Sequence, residues 1–345
     1  MKYGLIPESP RETEAVRAHP AMRALLDPFV PALASQVLIS AVELGIVDAL
    51  GRTGVTSDEI ADRCQLARAD VVMVLDVLRG LGMVQQGGGL AKDSGTAPTS
   101  DDEWKLVPWA QDTLLRESPA SLCAWVQFNA LKRPVLANLS DLLRRGHSFD
   151  FDQHLTQAAA WPLQVHAMFE TARPIADWVG QQVPVPANAK CLLDLGGGHG
   201  AYAAAICRHH PPLRGLVLEQ PEVVPHAREL SRANGLDQWI EFEAADCKAT
   251  DLRVYRPDVI FCGNLVHHLP SAQRREFFQQ AHEALTGDGV LVVWDLCRTE
   301  TAPDLVAASF ALFFRLTSNG ECRSAAQWQT ELEKAGFGAC RTLAG

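Results

Sequence analysis

Short apolar runs alternate with amphipathic segments along the second half of the chain. Five such runs occur at Cys191–Leu195, 215–219, Ile240–Ala244, 258–263 and 289–294. Between them, segments 223–234 and 272–285 carry apolar residues at helical spacing. Short apolar strands separated by helices are typical of a parallel sheet covered on both faces. The pattern therefore predicts a doubly wound α/β domain.

In the first half of the chain, the apolar residues recur mostly at helical spacing, and few runs resemble strands. Segment 31–50 is apolar over a broad face, and Thr56-x-x-Glu59 forms a capping box at the start of a short helix. Segment 67–82 predicts another helix, and 83–86 followed by three glycines predicts the turn of a β wing. Two helices are expected over 109–146, and one over 162–183. The order indicates an α-helical, winged-helix-like domain.

The most informative stretch is KCLLDLGGGHGAYAAA at 190–205, in which a strand, a glycine turn and a helix follow one another. Such a turn lets a ligand approach the backbone closely. The spacing of Gly196, Gly198 and Ala201 also fits a dinucleotide site. Asp194 favours S-adenosylmethionine (SAM) instead, because a carboxylate beside a pyrophosphate would be repelled.

Further polar residues follow the ends of the other predicted strands. Ligands of doubly wound sheets bind outside the carboxyl ends of the strands. Besides Asp194, the residues at these ends are Glu219, Asp246, Gly263 and Asp295. Four carboxylates at one edge predict the position of the cofactor.

The composition of the chain argues against several classes of binding partner and site. The formal net charge is −10, and the predicted recognition helix at 67–82 has no basic cluster, which argues against nucleic acid. No apolar run reaches the length of a membrane span, and the first residues lack a signal-peptide core. The nine cysteines include no Cys-x-x-Cys pair, so we expect reduced thiols in the cytoplasm and no metal site.

These motifs together resemble the SAM-dependent small-molecule methyltransferases of the plant caffeate O-methyltransferase type and their bacterial natural-product relatives. The resemblance covers nearly the whole chain. DLGGGHG at 194–200 matches the glycine motif, LEQP at 218–221 stands at the family's D-L-P, and NLVHHL at 264–269 stands at V-L-H-D-W. It implies a Rossmann-like catalytic domain after a helical dimerisation domain, and a homodimer. Segment 31–50 is also more apolar than a short domain can cover alone.

The resemblance assigns roles residue by residue. His267 aligns with the general base, and Asp295 with an acid that flanks it. The residues implied to hold SAM, with S-adenosylhomocysteine as its product, are Asp194, Gly196, Gly198, Gly200, Glu219, Gln220, Asp246, Cys247 and Gly263. Those implied to meet the small-molecule substrate are Trp125, Phe128, Asn129, Gln164, Met168 and His268.

Several positions depart from the family pattern. His268 and Leu269 replace the Asp and Trp that normally follow the base, and Cys322 stands in place of a second flanking acid. These changes predict a base that is less strongly oriented, or an acceptor other than a phenol. After Phe337 the remaining residues suffice for one strand, where the family has two.

The sequence thus predicts a methyltransferase that acts on a small molecule, most readily at a hydroxyl group. The alternatives are S-methylation of a thiol or thioether, a non-methylating SAM-binding or regulatory protein, and an NAD(P) oxidoreductase. The predicted parts are a dimerisation domain at 1–110, a helical connector lining the substrate pocket at 111–186, and the SAM-binding domain at 187–345.

Overall fold

The computed structural model describes residues 29–87, 103–146, 149–299, 305–338 and 340–343, together with Pro10, Arg11 and Glu14. The fold divides into two compact units between Leu131 and Lys132. We call residues 2–131 the N-terminal unit and residues 132–345 the C-terminal unit. The three-part division expected from the sequence stays a prediction.

Helices and a small sheet form the N-terminal unit. Its elements in chain order are α1 (Phe29–Glu43), α2 (Ile46–Leu50), β1 (Val55–Thr56), α3 (Ser57–Cys64), α4 (Arg68–Gly80), β2 (Val84–Gln86), β3 (Glu103–Leu106), α5 (Pro108–Leu114) and α6 (Cys123–Phe128). The expected capping box is present, since Thr56 Oγ1 accepts from the Glu59 amide and Glu59 accepts from the Thr56 amide. The single helix expected over 31–50 is wrong: Gly45 adopts φ 76° and separates α1 from α2.

The predicted wing is confirmed. β3 pairs antiparallel with both β1 and β2, giving a three-stranded sheet in the order β1-β3-β2. Gly88 and Gly89 of the expected turn lie outside the described residues. Trp104 on β3 is fully buried in the core of this unit.

The two helices expected over 109–146 are replaced by shorter segments. α5 ends at Leu114. A segment of turns and bends that contains Ser118 and Pro119 follows, and α6 begins after it. In the C-terminal unit, α7 (Arg133–Ala137) and α8 (Leu139–Arg145) are again short, and α7 has Pro134 at its start. Proline and serine favour helix starts and turns, so they divide the apolar stretch into single turns of helix.

The C-terminal unit continues with α9 (Phe151–Gln157) and the long α10 (Trp161–Gln182), which keeps Pro174 inside it. The α/β elements follow: β4 (Cys191–Leu195), α11 (Ala201–His209), β5 (Arg214–Glu219), α12 (Val224–Ala233), β6 (Ile240–Ala244), β7 (Val259–Gly263), α13 (Ser271–Ala284), β8 (Val290–Trp294), α14 (Leu305–Ser318) and α15 (Ala325–Lys334). A four-residue 3-10 turn lies at Leu252–Tyr255, and a three-residue one lies at Val266–His268.

All five strands are parallel, in the order β6-β5-β4-β7-β8. This confirms the predicted doubly wound sheet. β4 lies in the middle, so its carboxyl end adjoins the ends of β5 and β7. α10 packs closely against α11, since a Cβ at Gly180 would lie 2.8 Å from the Ala205 backbone.

The residues after Phe337, which suffice in number for one strand, form none where they are described. Gly338 and residues 340–343, the described part of the chain after α15 and its turn, are not in a strand. Arg341 and Thr342 are exposed there, and the segment has too few apolar residues to cover a sheet edge.

Candidate active site

The glycine turn after β4 is built so that only glycine fits. A Cβ at Gly197 would lie 2.3 Å from Asp194 Oδ2, and a Cβ at Gly200 would lie 2.4 Å from the Ile240 side chain. Gly196 and Gly198 have φ values of 64° and 50°, in the left-handed region that favours glycine. The turn therefore leaves its backbone open to a ligand at the start of α11.

Asp194, at the end of β4, is a buried carboxylate. It is 1% exposed, and Oδ1 has no hydrogen-bond partner among the described residues. Burial, followed by the charge of Glu219, raises the pKa of Asp194 to about 8. Such a group favours a ligand that brings a positive charge to Oδ1.

Glu219, at the end of β5, faces the same turn. Its Oε2 accepts from the Gly198 amide at 2.9 Å, and its Oε1 accepts from the Gln220 amide at 2.7 Å. Burial raises the pKa of Glu219, the two amides oppose the rise, and the nearby charges of Asp152 and Asp246 add to it. The amides hold the carboxylate in place while each oxygen keeps a lone pair for a further donor.

The residues after β6 complete this edge. Asp246 is exposed, and its Oδ1 accepts from the Lys248 amide at 2.9 Å. Cys247 is buried, and burial raises the pKa of its thiol to about 12. The thiol is therefore neutral and contributes apolar surface rather than a nucleophile.

On the other side of β4, the end of β7 carries the second candidate group. After Gly263, Asn264 takes φ 54° and donates its amide to the Trp294 carbonyl at 2.8 Å. The chain then enters the Val266–His268 turn. The side chains of His267 and Asp295 are 4% and 1% exposed.

His267 and Asp295 form a hydrogen-bonded pair. His267 Nδ1 bonds to Asp295 Oδ1, and the His267 amide donates to Asp295 Oδ2 at 3.1 Å. An ionised carboxylate only accepts hydrogen bonds, so Nδ1 carries the hydrogen and Nε2 is left as the acceptor. The ring is thereby fixed in one tautomer and one orientation by Asp295, although His268 follows it instead of an Asp.

Two side chains that the sequence did not single out support this turn. The Phe314 ring stacks on His267 with centroids 3.7 Å apart, and it meets His268 edge-on at 5.1 Å. Ser318 Oγ lies 3.2 Å from His268 Nδ1. His268 keeps an exposed side chain.

The backbone of His267 is equally constrained. The Glu321 amide donates to the His267 carbonyl at 3.0 Å, and a Cβ at Gly320 would lie 1.7 Å from that carbonyl oxygen. Cys322 is buried nearby, where burial and the charge of Asp295 raise the pKa of its thiol to about 11. The thiol is neutral at physiological pH and does not replace the charge of an acid.

The remaining candidate residues fall in both units. Gln164 and Met168 lie one turn apart on α10 and are half-buried. Trp125, Phe128 and Asn129 belong to the N-terminal unit, where Asn129 Nδ2 donates to the Trp125 carbonyl at 2.7 Å. Their part in binding a substrate stays a prediction.

Neither a metal-binding cluster nor a membrane-spanning helix occurs among the described residues. Among them, no group of three or more His, Cys, Asp or Glu residues is arranged to hold a metal ion. Of the helices in the described ranges, none combines the length and apolar character required to cross a membrane.

Comparison with known proteins places these features in a family. Residues 130–338 match the O-methyltransferase domain model, and residues 29–97 match the O-methyltransferase dimerisation domain model. Among curated relatives, the N,N-dimethyltransferase OxyT of Streptomyces rimosus is 28% identical over 324 residues, covering 88% of this chain and 87% of OxyT. The tetracenomycin polyketide synthesis 8-O-methyl transferase TcmO of Streptomyces glaucescens is 25% identical, covering 90% of this chain and 89% of TcmO.

A solved structure supports the same fold. Human N-acetylserotonin methyltransferase in complex with SAM superposes with a TM-score of 0.80 at 19% identity, covering 92% of each chain. Because the matched domain model spans more than half of the sequence, this chain belongs to the O-methyltransferase family of SAM-dependent enzymes.

Proposed function

We propose that this enzyme methylates a hydroxyl group of a small molecule, with His267 as the general base. The observation that carries the proposal is the buried His267–Asp295 pair, which leaves Nε2 as the acceptor. A neutral hydroxyl is a poor nucleophile until its proton is removed, and a histidine near neutral pH can take that proton. Relatives such as TcmO, which is named as an 8-O-methyl transferase, support a hydroxyl acceptor.

In the proposed step, bound SAM would supply a methyl group from its positively charged sulfur and would leave as S-adenosylhomocysteine, whose sulfur is neutral. His267 Nε2 takes the hydroxyl proton while the acceptor oxygen forms the bond to the methyl carbon and the carbon–sulfur bond breaks. Asp295 stabilises the resulting imidazolium through Nδ1, and the proton then passes to solvent.

The residues at the β4 and β5 ends fit SAM. Asp194 Oδ1, a buried acceptor with no partner among the described residues, suits the ammonium of the methionyl part. The four glycines between 196 and 200, which carry no Cβ, suit its close approach to the backbone. Glu219 suits the two ribose hydroxyls, because each carboxylate oxygen retains a lone pair.

We assign the adenine of SAM to residues that follow β6. We place Asp246 and Cys247 beside the adenine, since they follow β6, next to β5 in the sheet. Gln220 and Gly263 complete the proposed cofactor set, and Gln164, Met168 and His268 the proposed acceptor set of the C-terminal unit. Trp125, Phe128 and Asn129 are the proposed contribution of the N-terminal unit.

The test is methyl transfer from radiolabelled SAM to a panel of phenols, amines, thiols and thioethers. His267→Ala and His267→Asn should lower kcat on a phenol by about 10²–10⁴-fold, the usual contribution of a general base, with little change in affinity for S-adenosylhomocysteine. A near-wild-type rate in both variants would reject the role of His267.

An amine acceptor is the second candidate, because OxyT is named as an N,N-dimethyltransferase. A free amine already has a lone pair, so the base would act only after or during methyl transfer. In that case the panel would show turnover with amines and none with phenols. Thiols and thioethers, which need less or no help from a base, stay in the panel for the same reason.

We also propose a homodimer that acts in the cytoplasm. On α1, Phe29, Val30 and Leu33 are 65%, 43% and 46% exposed, which is a large apolar face for a helix of a soluble unit. The match to a dimerisation domain begins at residue 29, on this helix. All nine cysteines are free thiols, as expected in a reducing compartment.

A further inference from the structure

Arg274 is a charged side chain on the buried face of a helix. On α13 the buried positions recur at helical spacing, and they are Arg274, Phe277, Phe278, Ala281 and Ala284. Arg274 is 0% exposed. A buried charge is stable only when it is paired, and apolar side chains of similar volume often replace buried ion pairs without loss of stability. Stability alone therefore does not account for an arginine at this position.

One end of the Arg274 guanidinium binds the backbone beside the proposed base. Nη1 donates to the Leu269 carbonyl at 2.7 Å. Leu269 directly follows the turn Val266–His268, which we call the His267 turn, and the Leu269 amide donates to the Val266 carbonyl at 3.1 Å. The point at which the chain leaves the His267 turn is therefore fixed to Arg274.

The other nitrogens of Arg274 bind two carboxylates. Nε and Nη2 donate to Glu331 Oε2 and Oε1 at 2.7 Å and 3.1 Å, which forms a bidentate pair with α15. Nη2 also lies 3.7 Å from Glu321 Oε2. The amide of Glu321 donates to the His267 carbonyl at 3.0 Å. Arg274 is therefore connected to the His267 backbone both through Leu269 and through Glu321.

A second arginine completes the set of paired charges. Arg323 Nη2 lies 2.7 Å from Glu321 Oε2, and Arg323 Nε lies 3.1 Å from Glu331 Oε1. The two arginines and the two glutamates balance in charge, and we call them the arginine–glutamate network. The Arg274 guanidinium also lies 5.2 Å from the ring centroid of buried Trp328. A bidentate pair beside an aromatic ring fixes the plane of the guanidinium as well as its position.

We propose that Arg274 is a positioning residue, which orients His267 for proton transfer by holding the His267 turn through the Leu269 carbonyl and Glu321. The inference rests on the proposed function, because it takes His267 as the base. A base must lie within hydrogen-bond reach of the proton that it removes, and a misplacement of about 1 Å can cost about 10²-fold in rate. Among the described residues, the polar partners of the Arg274 side chain include none of those proposed to hold SAM. Cofactor affinity should therefore not depend on it.

Two variants test this role by removing Arg274 with and without its main partner. Arg274→Met removes the guanidinium alone. Arg274→Met/Glu331→Met also removes the bidentate carboxylate, so a loss of activity in it does not arise from an unpaired Glu331. Both should lower kcat on a phenol about 10- to 100-fold, with the affinity for S-adenosylhomocysteine unchanged. Arg275→Met, which removes the exposed neighbouring arginine on α13, should behave as wild type.

A spectroscopic measurement reports the orientation of His267 without turnover. In full-length enzyme with isotope-labelled histidine, long-range proton–nitrogen NMR spectra distinguish the Nδ1–H from the Nε2–H tautomer of a neutral ring. The His267 signals are those that are absent from His267→Asn. Wild type should show only the Nδ1–H form, since Asp295 accepts from Nδ1. Both Arg274 variants should show a mixture of the two tautomers, and Arg275→Met should keep the wild-type spectrum.

The results separate an orienting role of Arg274 from a purely structural one. A mixture of tautomers already in wild type, a single tautomer in the variants, a near-wild-type kcat, or a loss of S-adenosylhomocysteine affinity that matches the loss of kcat would overturn the role. Failure of both variants to fold, judged by circular dichroism, would also overturn it, because the arginine–glutamate network would then serve stability. If the tautomers mix in the variants but wild type methylates no phenol, Arg274 orients His267 as inferred and the proposed O-methylation fails.

Discussion

Replacing Asp194 by Asn should weaken cofactor binding and at the same time stabilise the cofactor-free protein. The carboxyl is buried, and burial with the charge of Glu219 raises the pKa of Asp194 from an ordinary 3.8 to about 8. Because the folded-state pKa lies above the unfolded value, the contribution of Asp194 to stability is complete below about pH 4 and is lost as the pH rises toward 8. Asn has a similar shape and no charge, so it removes this loss.

The size of the expected stability difference follows from the size of the pKa shift of Asp194. A pH of 7 lies about three units above the pKa of Asp194 in the unfolded chain. At about 1.36 kcal/mol per unit, the loss of stability at pH 7 is at most about 4 kcal/mol. A buried amide without full hydrogen bonding costs about 1–3 kcal/mol in turn. We therefore expect Asp194→Asn to be about 1–3 kcal/mol more stable than wild type at pH 7 without cofactor, and no more stable near pH 4.

Cofactor binding should show the opposite effect. Loss of a charge-assisted hydrogen bond to the ammonium should weaken S-adenosylhomocysteine binding about 10- to 100-fold. Wild type must also ionise Asp194 on binding, so it should release about 0.9 proton per site at pH 7, where a group of pKa about 8 is mostly protonated. The variant should release almost none from this position.

Two measurements check this reasoning. Thermal unfolding of the cofactor-free protein from pH 4.5 to pH 8 gives the stability difference, and calorimetry with S-adenosylhomocysteine in two buffers of different ionisation enthalpy gives the released protons. Asp288→Asn, at an exposed carboxylate, is the control for loss of one charge. A variant that is less stable than wild type at pH 7, or a difference that does not change with pH, would refute the electrostatic account of Asp194.

Two further perturbations test the geometry behind the base and the apolar face of α1. Gly320→Ala places a Cβ 1.7 Å from the His267 carbonyl oxygen and should lower kcat at least tenfold with cofactor affinity retained, whereas Gly338→Ala, where a Cβ meets nothing within 4 Å, should be silent. Steady-state kinetics and calorimetry separate the two outcomes, and an active Gly320→Ala enzyme would contradict the packing argument. Leu33→Glu should turn a dimer into a monomer in light scattering, while Val254→Glu, at a 69% exposed position of the other unit, should not. A wild-type protein that is monomeric in light scattering would contradict the proposed dimer.

The strands at the cofactor edge could be predicted from local sequence. β4 begins and ends where its apolar run does, because Lys190 and Gly196 bound it. Asp194 and Glu219 were placed at strand ends by the same signal. A parallel order also follows for the pairs β4–β5, β5–β6 and β7–β8, since a helix separates the strands of each pair.

Contacts between distant segments could not be predicted in this way. Asp295 lies 28 positions after His267, and only the pairing of β7 with β8 brings the two together. The stacking of Phe314 on His267 depends on where α14 returns, although the helical spacing of its phenylalanines was a usable signal. The break at Gly45 was missed because the apolar pattern runs on across it, while the backbone requires a left-handed residue.

The strand order brings the proposed cofactor residues and the proposed base to one edge of the sheet. β4 pairs with β5 on one side and with β7 on the other, so the glycine turn after β4 lies between Glu219 and the His267 turn. If the methionyl part binds at Asp194 and the ribose at Glu219, as proposed, the adenosine would extend toward β5 and β6. Asp295 follows β8, which pairs with β7 on the side away from β4, and it bonds to His267. Glu219 and the His267–Asp295 pair thus lie on opposite sides of β4.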